Sequence, residues 1–138
     1  MSDARAAQVP LPQPDADTAF FWQATARRRL EILRCDDCGT YIHYPKPACR
    51  ACGSASLTPA EVSGRGRVYS YTVTHTPVPG YEPPFAVVLI ELDEQPGLRM
   101  VSQIVDVEPG DVRIGMPVEV TFQPVAEDVW LPLFKRAR

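Results

Sequence analysis

The sequence is short of the groups that carry most enzyme chemistry at neutral pH. Its 138 residues include only two histidines, His43 and His75, and four cysteines. It has no Gly-x-Ser-x-Gly elbow to present a serine nucleophile, no phosphate-binding loop and no dinucleotide fingerprint. Counting alone leaves a Ser–His–Asp set open, but no motif points to one. Positive charge is scarce too: 14 Lys and Arg stand against 17 Asp and Glu, for a net charge of -3. Phosphate neutralisation supplies most nucleic-acid affinity, so this balance argues against a general nucleic-acid binder. Long apolar runs are also missing. The longest, residues 85–90, is far too short to cross a bilayer, and residues 1–14 hold no apolar core of signal-peptide length. The expectation is a soluble cytoplasmic protein with no membrane partner.

What is present is enough to fold. Apolar residues make up 45% of the chain, which excludes a disordered composition. The length suits a small metal module joined to a compact barrel. Residues 1–17, with Pro10, Pro12 and Pro14, read as a flexible tail. Asp15, Asp17 and Thr18 offer caps for a short helix over residues 20–28, and residues 30–34 read as a strand leading into the first cysteine pair. Residues 18–59 thus form one unit, helix plus cysteine module, and residues 60–138 a second. In the second, residues 67–75 alternate, with Val68, Ser70, Thr72 and Thr74 on one face and Tyr69, Tyr71, Val73 and His75 on the other. Residues 85–92 read as a buried strand, residues 98–105 and 118–122 as further strands, and residues 129–134 as a fifth. Glycines and prolines punctuate them. The fold class is mainly β, with a helix and cysteine module ahead of a five-stranded barrel such as an OB fold.

The cysteines carry the strongest chemical signal. Cys35-Asp36-Asp37-Cys38-Gly39 is followed, ten residues after Cys38, by Cys49-Arg50-Ala51-Cys52-Gly53. Two residues between thiolates let one tight turn aim both sulfurs at a single ion, and the glycine after each pair tolerates the left-handed backbone that such a knuckle needs. Cys35, Cys38, Cys49 and Cys52 are therefore the metal ligands. In a reducing compartment such cysteines bind metal more readily than they form disulfides. Zinc is the expected ion, and iron suits the same tetrahedral cage. Four protein ligands leave no open position for water, so the site holds structure and is not a reaction centre. With all four thiols bound to metal, no cysteine remains as a nucleophile.

Several segments extend the pattern: Phe20-Phe21-Trp22 before the first knuckle, Tyr44-Pro45-Lys46-Pro47 before the second, and Gly53-Ser54 after it. Gly64-Arg65-Gly66-Arg67-Val68-Tyr69-Ser70-Tyr71-Thr72 opens the first barrel strand. Pro84-Phe85-Ala86-Val87-Val88-Leu89-Ile90-Glu91-Leu92, Ile114-Gly115-Met116-Pro117-Val118-Glu119-Val120 and Leu131-Pro132-Leu133-Phe134 follow. In this order they resemble a family of small proteins in which a rubredoxin-like zinc ribbon precedes an OB fold, a domain of unknown function linked to acyl-CoA metabolism. The resemblance spans roughly residues 18–135. It implies a non-catalytic companion of thiolase-like enzymes, including sterol-carrier-type thiolases and aldolases that act on acyl-CoA side chains of steroids. The companion would stabilise its partner and help form the acyl-CoA site, while the partner holds the catalytic residues. In archaeal relatives the companion bridges a thiolase and a hydroxymethylglutaryl-CoA synthase.

Candidate contacts with the partner or with CoA follow from composition. Phe20, Phe21 and Trp22 would spread over about 200° of a helix, too wide for one buried stripe. Trp130 and Phe134 lie in the last apolar segment, which either completes the barrel or docks a partner. Residues 75–84, with four prolines and Tyr81, would connect the first two barrel strands, a frequent binding element of OB folds. Arg27 and Arg28, in the run ending at Arg29, are either a solvated helix edge or bidentate partners for CoA phosphates. His75 is expected to have a structural or surface role and not a catalytic one, and Glu91, Asp93 and Glu94 to form a solvated turn. Two rival readings are a nucleic-acid-binding ribbon and OB module, in which Tyr69, Tyr71 and Tyr81 would stack on bases, and an iron-binding electron carrier.

Overall fold

The computed structural model describes residues 9–138; residues 1–8 of the expected tail lie outside the described residues. The chain enters with Val9 buried against Gly80. A turn built on Asp15 follows, in which Oδ1 accepts the backbone N–H groups of Asp17 at 2.9 Å and Thr18 at 3.0 Å. It launches helix α1, Ala19–Ala26. The helix stops short of the expected residue 28 because Arg28 turns left-handed, with φ of 59°. The N–H groups of Arg28 and Arg29 then close onto the carbonyls of Thr25 and Ala24, both at 2.9 Å, in a Schellman cap.

Strand β1, Glu31–Cys35, carries the chain into the first knuckle. It lies between β2, Tyr41–Ile42, and β3, Leu57–Glu61, in an antiparallel three-stranded sheet. Neither flanking strand was legible in the sequence: β2 has two residues, and β3 contains Pro59, which is tolerated because β3 is an edge strand.

The second sheet is the expected five-stranded barrel. Its strands are β4, Arg65–Thr74; β5, Phe85–Leu92; β6, Arg99–Gln103; β7, Pro117–Ala126; and β8, Val129–Arg136, in the order β6-β5-β4-β7-β8. The two ends meet where Ile104 bridges Phe134 in parallel, with Val105 N–H donating to the Phe134 carbonyl at 2.8 Å. The Ser102 hydroxyl adds a bond to the Pro132 carbonyl at 2.8 Å. β4 pairs with both β5 and β7 near its start, and Gly66 sits where they crowd it. A Cβ there would lie 2.4 Å from the Glu91 carbonyl oxygen, so only glycine fits.

The core joins both units. Leu30 and Ile32 pack with Val68, Ile90, Val118 and Phe134 in one buried cluster. The apolar run of β5 buries Ala86, Val88, Ile90 and Leu92 fully, while the residues between them are half-buried, so the strand has two unlike faces. The expected alternation over residues 67–75 is broken. A bulge between Val68 and Ser70 sets Val68 opposite Ile90 and Ser70 opposite Leu89, so these two residues face opposite sides. The turn after β5 is only partly solvated. Glu91 lies within the ladder and pairs with Arg99 at 3.1 Å, and Glu94 accepts the Ser63 N–H at 2.7 Å.

Candidate metal centre and the cavity beside it

Each knuckle is built in the same way. Gly39 N–H donates to the Cys35 carbonyl at 2.9 Å and Gly53 N–H to the Cys49 carbonyl at 2.8 Å. Both glycines are left-handed, at φ of 80° and 79°. Cys35 and Cys49 are buried while Cys38 and Cys52 are exposed. The four Sγ atoms lie within 4.8 Å of one another, with Cys35 to Cys52 and Cys38 to Cys49 both at 3.6 Å. A tetrahedral four-thiolate ion with bonds near 2.3 Å separates its sulfurs by about 3.8 Å. No pair is joined in a disulfide. The donor set therefore fits a metal ion.

The aspartates inside the first knuckle lock it to the second. Asp36 Oδ2 accepts the hydroxyls of Ser56 at 2.8 Å and Thr58 at 2.9 Å, and Asp37 Oδ2 accepts that of Ser54 at 2.6 Å. Thr40 holds the Cys38 thiol down at about 6 through its hydroxyl and backbone N–H. At Cys52 the Ser54 N–H favours the thiolate, but the crowding sulfurs of Cys35, Cys38 and Cys49 outweigh it and push the thiol up to about 12. Ligation requires thiolates, so an incoming dication would release the protons that these thiols hold.

The segment between the knuckles links the metal site to the barrel. Ile42 packs with Cys35 and Cys49, and Tyr41 is clasped by Gln95. Tyr41 N–H donates to Gln95 Oε1 at 2.8 Å and Gln95 Nε2 donates to the Tyr41 carbonyl at 3.1 Å. The Tyr44 hydroxyl accepts the Val101 N–H of β6 at 3.0 Å. Between these anchors His43 stacks on Phe21, with centroids 5.9 Å apart, and the Tyr44 ring lies tilted against it at 4.0 Å. Burial pushes its imidazole down to about 4, and its Nε2 is buried with no hydrogen-bond partner. His43 lines a cavity of about 490 Å³ between α1, this segment, the β4–β5 connection and strands β5, β6 and β8. Sequence reasoning placed His43 in the metal module but gave it no role; its signal was a histidine in the apolar stretch Tyr41-Ile42-His43-Tyr44-Pro45.

The structure brings some of the expected contact residues together and separates others. Phe21 is buried, Phe20 and Trp22 are half-buried against the core, and Phe21 and Trp22 line the cavity. Tyr81 also lines it, stacking on Phe85 at 5.1 Å between centroids. Phe134 is fully buried at the seam of the barrel, so of the two roles expected for the last apolar segment it takes the barrel-completing one, and its place among the candidate contacts is corrected. Trp130 lies on another side, its ring beneath the Arg28 guanidinium at 4.6 Å. Arg27 pairs with Glu31 at 4.0 Å. His75 is exposed.

Fold and site together define a two-part protein, a four-cysteine ribbon docked on a closed OB barrel. The family profile described as the ChsH2 rubredoxin-like zinc ribbon domain matches residues 22–58, and that of the ChsH2 C-terminal OB-fold domain matches residues 60–123. The chain belongs to the DUF35 family. A probable enoyl-CoA hydratase alpha subunit of Thermomonospora curvata is 41% identical over 129 residues, 93% of this chain and 40% of that protein. The 3-oxo-4,17-pregnadiene-20-carboxyl-CoA hydratase alpha subunit of Mycobacterium tuberculosis is 41% identical over 112 residues, 80% of this chain and 35% of that protein. The chain thus spans about two-fifths or less of these two relatives. A DUF35 domain-containing scaffold protein of Methanocaldococcus jannaschii is 39% identical over 78% of this chain and 77% of its own length. Among solved structures, one titled Ltp2-ChsH2(DUF35) aldolase superposes with a TM-score of 0.84 at 40% identity, covering 91% of this chain and 98% of that one. No described helix is long and apolar enough to cross a membrane.

Proposed function

We propose that the chain is a non-catalytic subunit that stabilises a thiolase-like or sterol-carrier-type aldolase acting on an acyl-CoA and helps form its acyl-CoA site. The single observation that carries the reading is the near-complete superposition, at 40% identity, on a chain of the Ltp2-ChsH2(DUF35) aldolase. The scaffold name of the archaeal relative supports the same role. Zinc in the four-cysteine site would hold Cys35, Cys38, Cys49 and Cys52 in one closed shell, which stiffens the ribbon and leaves no coordination position for substrate. The partner's reaction would be carbon–carbon bond chemistry: retro-aldol, thiolytic or Claisen. A steroid side chain is the substrate class that the mycobacterial relative's name favours. Phe20, Phe21, Trp22, Tyr81, Trp130, Arg27 and Arg28 remain the proposed contacts with partner or CoA, with residues 18–59 and 60–138 as the two working units.

Two relatives named as hydratase subunits favour a second reading, in which the partner adds water to an enoyl-CoA. Co-expression with a thiolase-like or hydratase-like protein encoded nearby tests both. The expected result is a stable complex whose carbon–carbon cleavage or condensation is absent from either chain alone. Hydration without carbon–carbon chemistry would establish the second reading, and turnover by the isolated chain would overturn the non-catalytic role. Elemental analysis should find one zinc per chain; visible colour with a reversible redox couple would assign iron instead.

A further inference from the structure

Strand β4 is paired on both sides only near its start. On one side β5 runs along it as far as Thr74. On the other, β7 pairs with Arg65, Gly66 and Arg67 alone. The last contact on that side is at Val68, whose N–H donates to the Met116 carbonyl at 3.0 Å and whose carbonyl accepts the Gly115 N–H at 2.7 Å. The bulge between Val68 and Ser70 then bends β4 away. Which groups this leaves open follows from β5. Ala86 is turned to β6, since its carbonyl accepts the Ile104 N–H at 3.3 Å. By the alternation of an antiparallel ladder, Phe85, Val87 and Leu89 turn the other way and bond Thr74, Thr72 and Ser70. The N–H and carbonyl of Tyr71 and of Val73 therefore point away from β5. Among the described residues no other strand or loop pairs with these four groups. Such an edge is a template for a further strand, and folded proteins guard it with charge, proline or a covering segment. The ribbon's edge strand β3 carries Pro59 and Glu61. The open part of β4 has no such guard: no Lys, Arg, Asp or Glu occurs from Val68 to Tyr81, and no proline before Pro77. Ser70, Tyr71 and Thr72 are exposed, and Ile114, 71% exposed, shares a surface hollow with Tyr69 where the edge opens.

We propose that the open edge of β4 pairs antiparallel with the same edge of a second copy of this chain, about a twofold axis at Thr72, so that two barrels share one continuous sheet. The strand is its own complement. With Thr72 facing Thr72 of the second copy, Tyr71 lies opposite Val73, and the four open groups of each chain are satisfied by four interchain hydrogen bonds. The side chains agree with this register. Thr72 meets Thr72, a favourable cross-strand pair, and each Tyr71 lies beside a Val73, an aromatic ring against a β-branched residue. Charge permits it as well, because Arg67 falls opposite Pro77 of the second copy and no like charges meet.

The test is sedimentation velocity and amide hydrogen exchange on the metal-loaded full chain, from micromolar to millimolar concentration. A reversible monomer–dimer equilibrium is expected. The amides of Tyr71 and Val73 should exchange fast when dilute and slow down as concentration rises, while those of Ser70 and Thr72, bonded to β5, stay slow throughout. Val73→Pro deletes an outward N–H and spares the ladder to β5, since proline is tolerated where an edge N–H faces solvent. It removes two of the four interchain bonds and should weaken the dimer about tenfold or more. Thr72→Lys, at an exposed position, sets two cations face to face and should leave a monomer with an unchanged thermal midpoint. Thr72→Glu should do the same, and an equimolar mixture of the two variants should dimerise again, which places the axis at Thr72. A chain that stays monomeric throughout, a dimer that Val73→Pro and Thr72→Lys leave intact, or a mixture that does not recover would each overturn the pairing. Slow exchange at Tyr71 and Val73 only in the complex with a co-expressed enzyme subunit would overturn self-pairing and give the edge to that subunit.

Discussion

Phe134 is fully buried where the barrel closes, opposite Ile104, and its role is set by residues far from it in sequence. Truncation to alanine should cost about 3–5 kcal/mol, as for large-to-small changes in other cores, and appear as a large fall in thermal midpoint with the metal still bound. His43 gives a second prediction, one of pH. Its imidazole titrates near 4 in the fold against an ordinary value near 6.5, because burial disfavours the cation. The unfolded chain therefore binds the proton first as pH falls. Stability should be fullest above pH 6.5, decline between pH 6.5 and 4 by roughly 3 kcal/mol from this group alone, and level off below. A His43→Phe variant should lack that share of the slope in denaturant melts across the window; an unchanged slope would assign the decline to other groups. The four cysteines were legible because their chemistry is local and their spacing repeats. His43, Gln95 and Phe134 were not, because Phe21, Tyr41 and Ile104 reach them only through the tertiary fold.

The ribbon sheet, β1 to β3, has little to hold it apart from its sulfurs. Its own buried cluster consists of Cys35, Cys49 and Ile42, with Leu33 and Leu57 half-buried beside them. The barrel, by contrast, owns a large apolar core to which β1 contributes Ile32. Removing the metal, by a strong chelator or by Cys38→Ser, should therefore loosen residues 35–57 while the barrel strands keep their exchange protection. Metal binding in small ribbons is folding free energy, about 10–16 kcal/mol in zinc-finger peptides. Because Ile42 leads directly to His43 and Tyr44, the same treatment should remove one wall of the cavity. Hydrogen exchange read separately over residues 35–57 and 85–92 checks this, and equal loss in both would show one cooperative unit. At this scale β5 and the closing strand could be read from apolar pattern and punctuation. The break in β4 could not, since a bulge leaves Val68-Tyr69-Ser70 looking like ordinary alternation.

Across the whole molecule, helix, ribbon and barrel converge on one side. The connection between β4 and β5 lies there, with Val78 and Tyr81 in the cavity wall and Gly80 packed so tightly on Val9 that a Cβ would meet it at 2.7 Å. The order of the sequence motifs foretold the architecture, since each marks one element of a known arrangement. It did not foretell this convergence, which depends on how the ribbon sits on the barrel through Gln95 and Tyr44. A surface assembled from three elements is suited to meeting another protein, because apolar and aromatic groups half-covered by polar neighbours are what interface cores contain. Replacing residues 76–84 by a Gly-Ser linker of equal length should therefore weaken capture of the proposed partner at least tenfold. The barrel should still melt as one transition, because the segment lies between the end of β4 and the start of β5 and its Val78–Tyr81 bridge pairs it with itself. Undiminished capture and turnover by that variant would move the partner's footprint elsewhere, to the Trp130 and Arg28 side of the molecule.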